Sequence, residues 1–560
     1  MKTLKCFLTV LLGAVLAVSC GNKNQGQTTY TITVDRQSIQ DVAANNPGVE
    51  TLVITTDAPY WILSAPDWVT PDKKQGVGGG ESTIVSLTIA PNYRNEATTT
   101  LPRSGEIKIS GGNTSVSVRI NQLGHTAVID PNASIGGIPS LAEFMDFVAC
   151  VNEGNSPIRW MNSNFEVELL ADIDLSSVTE WTPIGNVEST GNGNNACAPK
   201  GNYFTGVFNG GNHTIRNFKT TKELAAGQTW GLFGCIYNAT IKNLNLEADV
   251  TYSATGAADA GVLVGTAYGS TIDNVKVTAK VTSTGASTAA RLAIGGVVGF
   301  LYSETVEATT FNSCVKNCDV TATVNIDWGN NTGNGATCVM YGGIAGFATS
   351  IKEETETAAN LIKDCVHNGT MTVKLGRCSG ICATANCGTH IEGCTNNASQ
   401  LNTAPDGRIG QICCNLSYHS YIKDAVNTGN LTTTGSSCRT GAIVGLIGDV
   451  TAYIEGGERV TNTGTILGCN TTYLGLLNAH NSNFDHISDI KLAGKLGVYK
   501  EDGNHEMYPI SNATIMDYIG NISAANKEKV SNITFVGEAT ETPSTGGGIS
   551  DLDPVNDTWN

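Results

Sequence analysis

Two patterns of apolar residues divide this chain. In residues 29 to 124, apolar and polar residues alternate in short runs bounded by Gly, Pro and Asn, as in Tyr30–Val34, Thr51–Thr55 and Ser115–Ile120. Alternation with period two is typical of strands that bury one face, and several such strands favour an immunoglobulin-like β-sandwich. Further along the chain, the alternation gives way to a repeated phrase.

The repeated phrase is a glycine-flanked apolar quartet, a turn, and then Ile-x-x-apolar. Eight copies run from Gly231–Gly234 with Ile241–Leu244 to a weak last copy at Gly475–Asn478 with Ile487. The fourth quartet positions recur at intervals of 31 to 47 residues, at 234, 265, 299, 346, 383, 414, 445 and 478. Such a period marks a solenoid or a propeller. Because the Trp-Asp signature is missing and most intervals are shorter than a blade of about 40–45 residues, we predict a right-handed β-helix.

One helix is predicted ahead of the repeats. Ser140–Glu143 has capping-box spacing, and Leu141, Phe144, Val148 and Val151 share one helical face with Met145. This helix is well placed to cover the open end of the solenoid. The predicted all-β layout is a signal peptide (1–19), a lipidated linker (20–28), the sandwich (29–124), a linker with the capping helix (125–160), the solenoid (161–495), a C-terminal cap (496–536) and a disordered tail (537–560).

The N-terminus predicts export. Met1–Lys5 carries positive charge, Phe7–Val18 is apolar but too short to span a bilayer, and small residues precede Cys20. This segment resembles a bacterial lipobox, which implies cleavage before Cys20 and acylation of its thiol. The alternative is an ordinary signal peptide with a chance cysteine. We expect a lipid-anchored outer-membrane protein, with surface display left open.

Charge excludes one class of partner. The 33 Lys and Arg against 50 Asp and Glu give a net charge of −17, which repels phosphate backbones, so we expect no nucleic-acid partner. The 64 glycines and the low share of charged residues (15%) favour turns and short strands.

Seventeen cysteines invite a metal site, but the repeat register favours another interpretation. Aligned phrases place cysteines in slots that are elsewhere apolar: Cys314, Cys365 and Cys394 with Leu244 and Val275, and Cys382 and Cys413 with Phe233, Val298 and Ala345. We therefore predict stacked core thiols and no metal or cofactor. Scattered disulfides and a metal cluster are the alternatives.

Catalytic patterns are scarce. The chain has no His-Glu-x-x-His, Gly-x-Ser-x-Gly or phosphate-loop motif, so we predict no catalytic residues and no enzyme activity. Asp172 and Asp174 share a strand face, and we interpret them as turn carboxylates rather than a catalytic pair. The eight histidines show no common repeat position, and we expect them on the surface or in loops.

Sugar binding needs an exposed ring with polar neighbours. Tyr60, Trp61 and Trp68 are the candidates, although either tryptophan could instead fill the sandwich core. Together with Asn92, Arg103–Gly105 and Asn121–Gly124, the two tryptophans resemble the BACON domain of Bacteroidetes proteins, which implies glycan or mucin binding or a spacer role.

The repeats and the segment that leads into them resemble a second family. Asp172–Leu175, Phe204–Phe208 and Gly231–Gly234 are similar to the GLUG repeats of bacterial surface proteins, over residues 160 to 490. The sequence thus predicts a non-catalytic, adhesin-like or glycan-binding lipoprotein whose partner is a glycan or a host surface ligand and which meets the membrane only through lipid. The alternatives are a polysaccharide-degrading β-helix lyase or glycoside hydrolase, and a structural envelope component.

Overall fold

A computed structural model describes residues 29–45, 47–93, 100–125, 134–188, 200–285, 291–306, 309–328, 339–350, 359–374, 376–403, 407–435, 438–469, 471–500, 504–539 and 544–546. The chain divides into two compact units, residues 1–128 and 129–560. The predicted signal peptide, the linker and Cys20 lie outside the described residues. Of the helices described, none has the length and apolar character that crossing a bilayer requires.

The first unit is a two-sheet β-sandwich. Its strands are β1 Ile32–Val34, β2 Ser38–Val42, β3 Val49–Thr56, β4 Tyr60–Ser64, β5 Val69–Pro71, β6 Gln75–Val77, β7 Ser82–Ile89, β8 Arg103–Gly111 and β9 Thr114–Gln122. One sheet has the order β1-β3-β7-β5 and the other β2-β9-β8-β4-β6. Alternate residues such as Leu52, Val85, Ile107 and Val118 are fully buried between the sheets, as the period-two pattern predicts.

The second unit is a stack of parallel strands, which confirms the predicted solenoid. A first column precedes the quartets: Thr229–Trp230, Ala258–Gly261, Leu292–Gly295, Val339–Gly342, Arg377–Ser379, Arg408–Gly410, Arg439–Gly441 and Leu474–Gly475. A second column begins within the quartets: Phe233–Ala254, Val264–Tyr268, Val298–Val306, Ala345–Ser350, Cys382–Ala385, Cys413–Leu416, Val444–Gly448 and Asn478–Asn483. Neighbouring rungs pair in register, with Val298 opposite both Val264 and Ala345.

Two further columns complete each rung. The third holds the Ile-x-x phrases: Glu166–Glu168, Phe204–Asn209, Thr271–Thr284, Cys314–Lys316, Asn360–Lys363, Thr389–Glu392, Tyr421–Lys423, Tyr453–Glu455, Ile487–Leu492 and Val530–Phe535. The fourth comprises Ile173–Asp174, Thr214–Leu224, Asp319–Asp327, Val366–Val373, Thr395–Asn396, Ser399–Asn402, Val426–Asn427, Leu431–Thr433, Ile466–Gly468 and Leu496–Tyr499. The long strands Phe233–Ala254 and Thr271–Thr284 run on into this column.

Short elements connect and close the rungs. They are the strands Val187–Glu188, Lys200–Gly201, Thr309–Phe311, His505–Met507 and Ser544–Gly546, and the 3-10 helices Ile158–Trp160, Thr471–Tyr473 and Ala524–Lys529. Ser544–Gly546 lies in the segment predicted to be disordered, and it pairs with His505–Met507. Val530–Phe535 stacks on Ile487–Leu492 as a further rung beyond the last predicted repeat.

The third repeat phrase was predicted at the wrong place. Val315, and not Phe311, lies opposite Ile272 and Ile362. The segment Thr309–Phe311 instead pairs antiparallel with the end of Val298–Val306. The reason lies in the third position of the phrase, which adopts a left-handed backbone at residues such as Asn317 (φ 53°). Asn, Asp and Gly tolerate that conformation, whereas Ser313 in the predicted phrase suits it poorly.

The last quartet is displaced by one residue from its predicted position. Val444 lies opposite Asn478, so the residues equivalent to Ala442–Gly445 are Leu476–Ala479 rather than Gly475–Asn478. The prediction began the quartet at Gly475 because most earlier quartets begin with glycine. In the structure, Gly475 belongs to the first column, opposite Gly441.

The predicted helix α1, Leu141–Asn152, buries Phe144, Phe147, Val148 and Val151. Phe147 lies 6.0 Å from Phe204 between ring centroids, so the helix packs on the first rungs of the solenoid. A second, one-turn helix, α2, covers Ile515–Tyr518.

Only half of the predicted capping box of α1 forms. Ser140 Oγ accepts the backbone N–H of Glu143 (3.4 Å), but the Glu143 carboxylate accepts hydrogen bonds from Arg159 and Trp160 instead of from the Ser140 backbone. A tertiary contact thus replaces the local one.

Buried amides form a ladder through the solenoid interior. Asn396 Nδ2 donates to Asn427 Oδ1 (2.9 Å), and Asn427 Nδ2 donates to Asn462 Oδ1 (2.8 Å). Each of these Nδ2 atoms also bonds a backbone carbonyl two residues later in its own rung. All three side chains are fully buried, and each amide completes the hydrogen bonding of the next.

We expect substitution by leucine to change the stability of the fold in opposite directions at two buried amide side chains of this interior. Asn427→Leu should destabilise the fold by about 2 kcal/mol, because it leaves Asn396 and Asn462 with unpaired polar atoms. Gln400, opposite Met371 and Leu431, has no partner for either amide atom among the described residues, so Gln400→Leu should stabilise by about 1–2 kcal/mol. Urea unfolding of both variants measures the change in the free energy of unfolding. A change of the same sign in both variants would contradict the prediction.

Candidate functional site: the outer face of the sandwich sheet

The sheet β2-β9-β8-β4-β6 presents a broad face to solvent. Its inward positions, such as Leu63, Ile109 and Val118, are buried, so the alternate residues on the same strands point outward. On β8 and β9 these outward residues are mostly short or charged: Ser104, Glu106, Lys108, Ser110, Ser115, Ser117 and Arg119. The face is therefore mostly polar, with hydroxyl groups and both signs of charge.

An aromatic and apolar patch lies at one edge of this face. Tyr60 is 56% exposed, Ile62 is 51% exposed and Val77 is 80% exposed. Tyr60 lies directly opposite Val77 in the pair β4–β6, and Ile62 follows Tyr60 on the same face. A tyrosine ring flanked by apolar side chains provides a flat surface for stacking with a hydroxyl at its tip.

A shallow depression of about 680 Å³ lies on the polar part of the face. It is lined by Gln37, Ser104, Gly105, Glu106, Ser117 and Arg119. Glu106 and Arg119 lie opposite one another on β8 and β9, so the depression offers a carboxylate, a guanidinium, two hydroxyls and an amide. This set can donate to and accept from the hydroxyl groups of a polar ligand.

Of the three predicted ligand residues, Trp61 does not belong to this site. It is 1% exposed and packs in the sandwich core, because it follows Tyr60 on β4 and therefore points to the opposite face. Gly76 on β6 lies directly opposite Trp61, where any Cβ would come within 2.6 Å of the indole. A buried ring cannot stack on a sugar.

Trp68 is half-buried and one face of its ring is occupied. The guanidinium of Arg103 lies 4.5 Å from the ring centroid, a cation–π contact. Arg103 in turn donates to Gln122 Oε1 (2.8 Å) and to the carbonyl oxygen of Ala90 (2.8 Å). Of the predicted residues, Tyr60 alone presents an open ring.

The other residues that carry the BACON resemblance close the sandwich. Asn92 Nδ2 donates to the carbonyl oxygens of Leu101 (2.9 Å) and Leu123 (3.0 Å), and Asn92 is 8% exposed. At Gly105, any side chain would overlap Pro66 and crowd Trp68. Asn92 and Gly105 therefore stabilise the closed sandwich.

In the solenoid, the carboxylates of Asp172 and Asp174 are engaged in structural hydrogen bonds. Asp172 accepts the backbone N–H of Thr214 (3.0 Å), and this bond, aided by His213, holds the pKa of Asp172 below its usual value. Asp174 accepts from Asn217 Nδ2 (2.9 Å) and from the Ser176 backbone, which lower its pKa as well. Both stay ionised, unlike a general acid, whose pKa is raised.

The cysteine columns follow the predicted register with one exception. Cys382 lies opposite Ala345 and Cys413, as predicted. Cys318, rather than Cys314, stacks with Cys365 and Cys394, because the third phrase begins at Val315. Cys314 lies opposite Thr271 and Leu361. The cysteines that the structure describes are free thiols, and no described cluster of three or more His, Cys, Asp or Glu could hold a metal ion.

Sequence reasoning missed an aromatic ladder on the solenoid surface. His390, Tyr421, Tyr453 and His486 stack with ring centroids 4.1, 4.7 and 4.6 Å apart. Each residue directly precedes the isoleucine of its phrase, which is the signal that could have found them. The rings stack on one another, so the ladder stabilises the rungs and leaves little ring surface for a ligand.

The expectation that the histidines share no repeat position and lie on the surface or in loops was wrong for some of them. His390 and His486 share the position before the isoleucine, and both are half-buried. His125, His367 and His505 are buried, His367 completely. Stacking and hydrogen bonding within the fold account for these positions.

Comparison with known families identifies part of the first unit. The BACON family model, described as "Putative binding domain, N-terminal", matches residues 60–123. This match supports the predicted BACON resemblance, whereas the resemblance to GLUG repeats stays a prediction. No curated protein matches the chain.

Three solved structures share some similarity with the chain. A "putative immunoglobulin A1 protease from Bacteroides ovatus" is 18% identical over 63% of this chain and 84% of that one, with a TM-score of 0.35. An "IgA1 Protease" is 14% identical over 84% of this chain and 29% of its own, with a TM-score of 0.34. A "Bacteroides ovatus GH5 xyloglucanase in complex with a XXXG heptasaccharide" is 13% identical over 20% of this chain and 22% of its own, with a TM-score of 0.15. At these scores the similarities carry no argument about activity.

Proposed function

We propose that this chain is a non-catalytic cell-envelope lipoprotein that binds glycans through the outer face of its N-terminal sandwich. The observation that carries the proposal is the exposed ring of Tyr60, flanked by Ile62 and Val77, on a face rich in hydroxyl and charged groups. Sugars present a flat C–H face and a rim of hydroxyls, which match a ring and polar side chains respectively. The match of residues 60–123 to a family described as a binding domain supports it.

The solenoid serves in this proposal as a rigid scaffold for display. Its interior combines a continuous apolar cluster with the ladder of buried amides. Its acidic pair Asp172 and Asp174 forms hydrogen bonds between rungs. A screen for reducing-sugar release tests the rival enzyme function. Release of sugar by the purified protein would replace the binding proposal with a polysaccharide-degrading one.

Tyr60→Ala should weaken glycan binding about ten-fold or more, because stacking on the ring is lost, while Tyr60→Phe should stay within about three-fold. Glycan arrays identify the ligand, and titration calorimetry then measures the variants. Ile62 and Ile84 form a matched pair, since they are 51% and 57% exposed on different sheets. Ile62→Ala should weaken binding and Ile84→Ala should not. Equal affinity of all variants would refute the site.

We further propose a lipid anchor at Cys20 in the outer membrane. Cys20→Ala should move the protein from the membrane fraction to the soluble fraction and abolish labelling with a fatty acid, because the thiol that carries the lipid is removed. Cys6→Ala is the control and should change neither result. Protease treatment of intact cells then tests surface display. Retention of Cys20→Ala in the membrane fraction would contradict the anchor.

A further inference from the structure

Arginine occupies the same position on three successive rungs of the solenoid. Arg377, Arg408 and Arg439 each begin a strand of the first column. Arg408 lies directly opposite Arg439. Arg377 stands one rung earlier, since the quartets that follow align Cys382 with Cys413. Because neighbouring strands lie about 4.8 Å apart, this arginine row offers one guanidinium per rung along the solenoid axis.

The arginine row faces away from the apolar interior. The residue that follows each arginine is completely buried, namely Cys378, Ile409 and Thr440. Successive residues of a strand point to opposite faces, so the arginines point outward. All three are half-buried, which leaves part of each side chain open to solvent.

Polar and aromatic side chains lie beside the arginine row. Arg408 Nη1 donates to Asn415 Oδ1 (3.1 Å), and the guanidinium of Arg439 lies 5.3 Å from the ring centroid of Tyr473. The ring of His480 is 5.1 Å from that of Tyr473, and its Nδ1 is buried with no partner among the described residues. Burial, and then the charges of Arg439 and Arg408, lower the pKa of His480, so its imidazole is neutral at neutral pH.

The same strip of the solenoid surface is apolar on the rungs before the arginine row. Met340 takes the arginine position one rung earlier and clusters with Phe300 and Phe347. In the second column, Thr384 takes the place of Phe347 on the rung of Arg377. Both columns therefore change from apolar to polar residues at the same rung, which favours a common role for the polar set.

The described residues leave positive charge on the arginine row. Neither Arg377 nor Arg439 forms an ion pair with a described residue, whereas Arg459 of the same unit pairs with Asp424. Like charges one rung apart repel one another, so an anionic group placed along the row is attracted to all three guanidiniums.

We propose that the arginine row binds a linear anionic glycan that lies along the solenoid axis, with one carboxylate or sulfate to each rung. A planar guanidinium can donate two parallel N–H bonds to such a group. An extended peptide repeats its like-facing side chains about every 6.6 Å, and a B-form DNA strand repeats its phosphates about every 3.4 Å, so neither matches the row. A pyranose unit advances a glycan by about the length of its ring, which is close to one rung.

This site is separate from the sandwich face of the proposed function. It lies on the second unit and shares no residue with that face, so either proposal can fail without the other. The net charge of −17 repels anionic polymers at long range. At about 0.15 M salt that repulsion is screened beyond about 8 Å, so binding measured there reports close contacts.

The experiment titrates the purified full chain by calorimetry at about 0.15 M salt. The probes are polygalacturonate, which carries only carboxylates, dextran sulfate, which carries only sulfates, and uncharged dextran. We expect binding of at least one anionic polymer, which identifies the preferred group, and no binding of dextran. Arg377→Gln and Arg439→Gln should each weaken that binding about ten-fold or more, because each removes a bidentate contact.

Arg216→Gln is the matched control, because Arg216 belongs to the fourth column and pairs with Asp174. It removes the same charge and should leave the affinity unchanged. Tyr60→Ala should leave it unchanged as well, which distinguishes this site from the sandwich face. Failure of both anionic polymers to bind, an equal loss in Arg216→Gln, or equal affinity for single-stranded DNA would overturn the proposal.

Discussion

Gly295→Ala should destabilise the solenoid by at least about 3 kcal/mol, because there is no space for a methyl group at this position. A Cβ on Gly295 would overlap the carbonyl oxygen of Val298 in the adjoining quartet. Gly261 and Gly342, its neighbours in the first column, face the same obstacle in Val264 and Ala345. A backbone carbonyl cannot rotate away as the end of a flexible side chain could, so the chain itself would have to move.

The chain supplies its own control in this column. Ser379 lies opposite Gly342 in the next rung, and its Oγ has no partner among the described residues. Ser379→Ala keeps the Cβ and removes only the hydroxyl, so we expect it to change stability by less than about 0.5 kcal/mol or to stabilise slightly. Urea unfolding followed by circular dichroism measures both variants. If Gly295→Ala unfolds at the wild-type midpoint, close backbone approach is not what requires glycine here.

Acidification should destabilise the second unit through His367, by about 3 kcal/mol between pH 6.5 and pH 4. His367 is fully buried, and burial lowers its pKa to about 4, against the opposing effect of its hydrogen bond to Asn396. In the unfolded chain its pKa is about 6.5. As the pH falls below about 6.5, His367 binds a proton in the unfolded chain but stays neutral in the folded chain. The stability that neutral His367 contributes is therefore present above about pH 6.5 and is lost as the pH falls towards 4.

The geometry around His367 explains why the charged form is unfavourable. Nδ1 lies 3.2 Å from Asn396 Oδ1 at the end of the amide ladder, and Nε2 is buried without a partner among the described residues. The ring packs against Gly343, and the ring of Tyr341 lies 6.2 Å away. No carboxylate is among these neighbours to stabilise an imidazolium, so the desolvation cost is not offset.

His367→Asn isolates this contribution, since asparagine fills the equivalent positions in the next three rungs. The difference in unfolding free energy between wild type and variant should change by about 3 kcal/mol between pH 7 and pH 4. Carboxylates that titrate in the same range contribute equally to both proteins and cancel. A difference that does not vary with pH would refute the assignment.

The repeat could be predicted from the sequence because its requirements are local. Apolar side chains recur at the rung spacing, and the third position of each phrase is Asn, Asp or Gly wherever the backbone turns left-handed, as at Asn243, Asn274 and Asp364. The prediction failed at Phe311, where an insertion placed an apolar residue at a plausible distance without that turn residue. Hydrophobicity alone did not distinguish the two phrases.

The candidate site was only partly predictable. Tyr60 and Trp61 are adjacent on a strand, so at most one of them can face solvent, and the sequence establishes this much. Which of the two is exposed depends on the packing of β4 against β6 and β8, where Gly76 leaves space for the indole. The glycine beside Trp61 comes from a different strand, so no local pattern indicates it.

The sequence by itself determined an alternating sandwich, a stacked repeat and a helix before the repeat, since each follows from apolar periodicity within a short segment. The tertiary structure alone decided which atoms meet across rungs: the crowded glycine column and the amide ladder that ends at His367. These contacts join residues about thirty positions apart. A shift of one residue in any intervening turn would change every one of them, so they depend on a register that only the folded chain establishes.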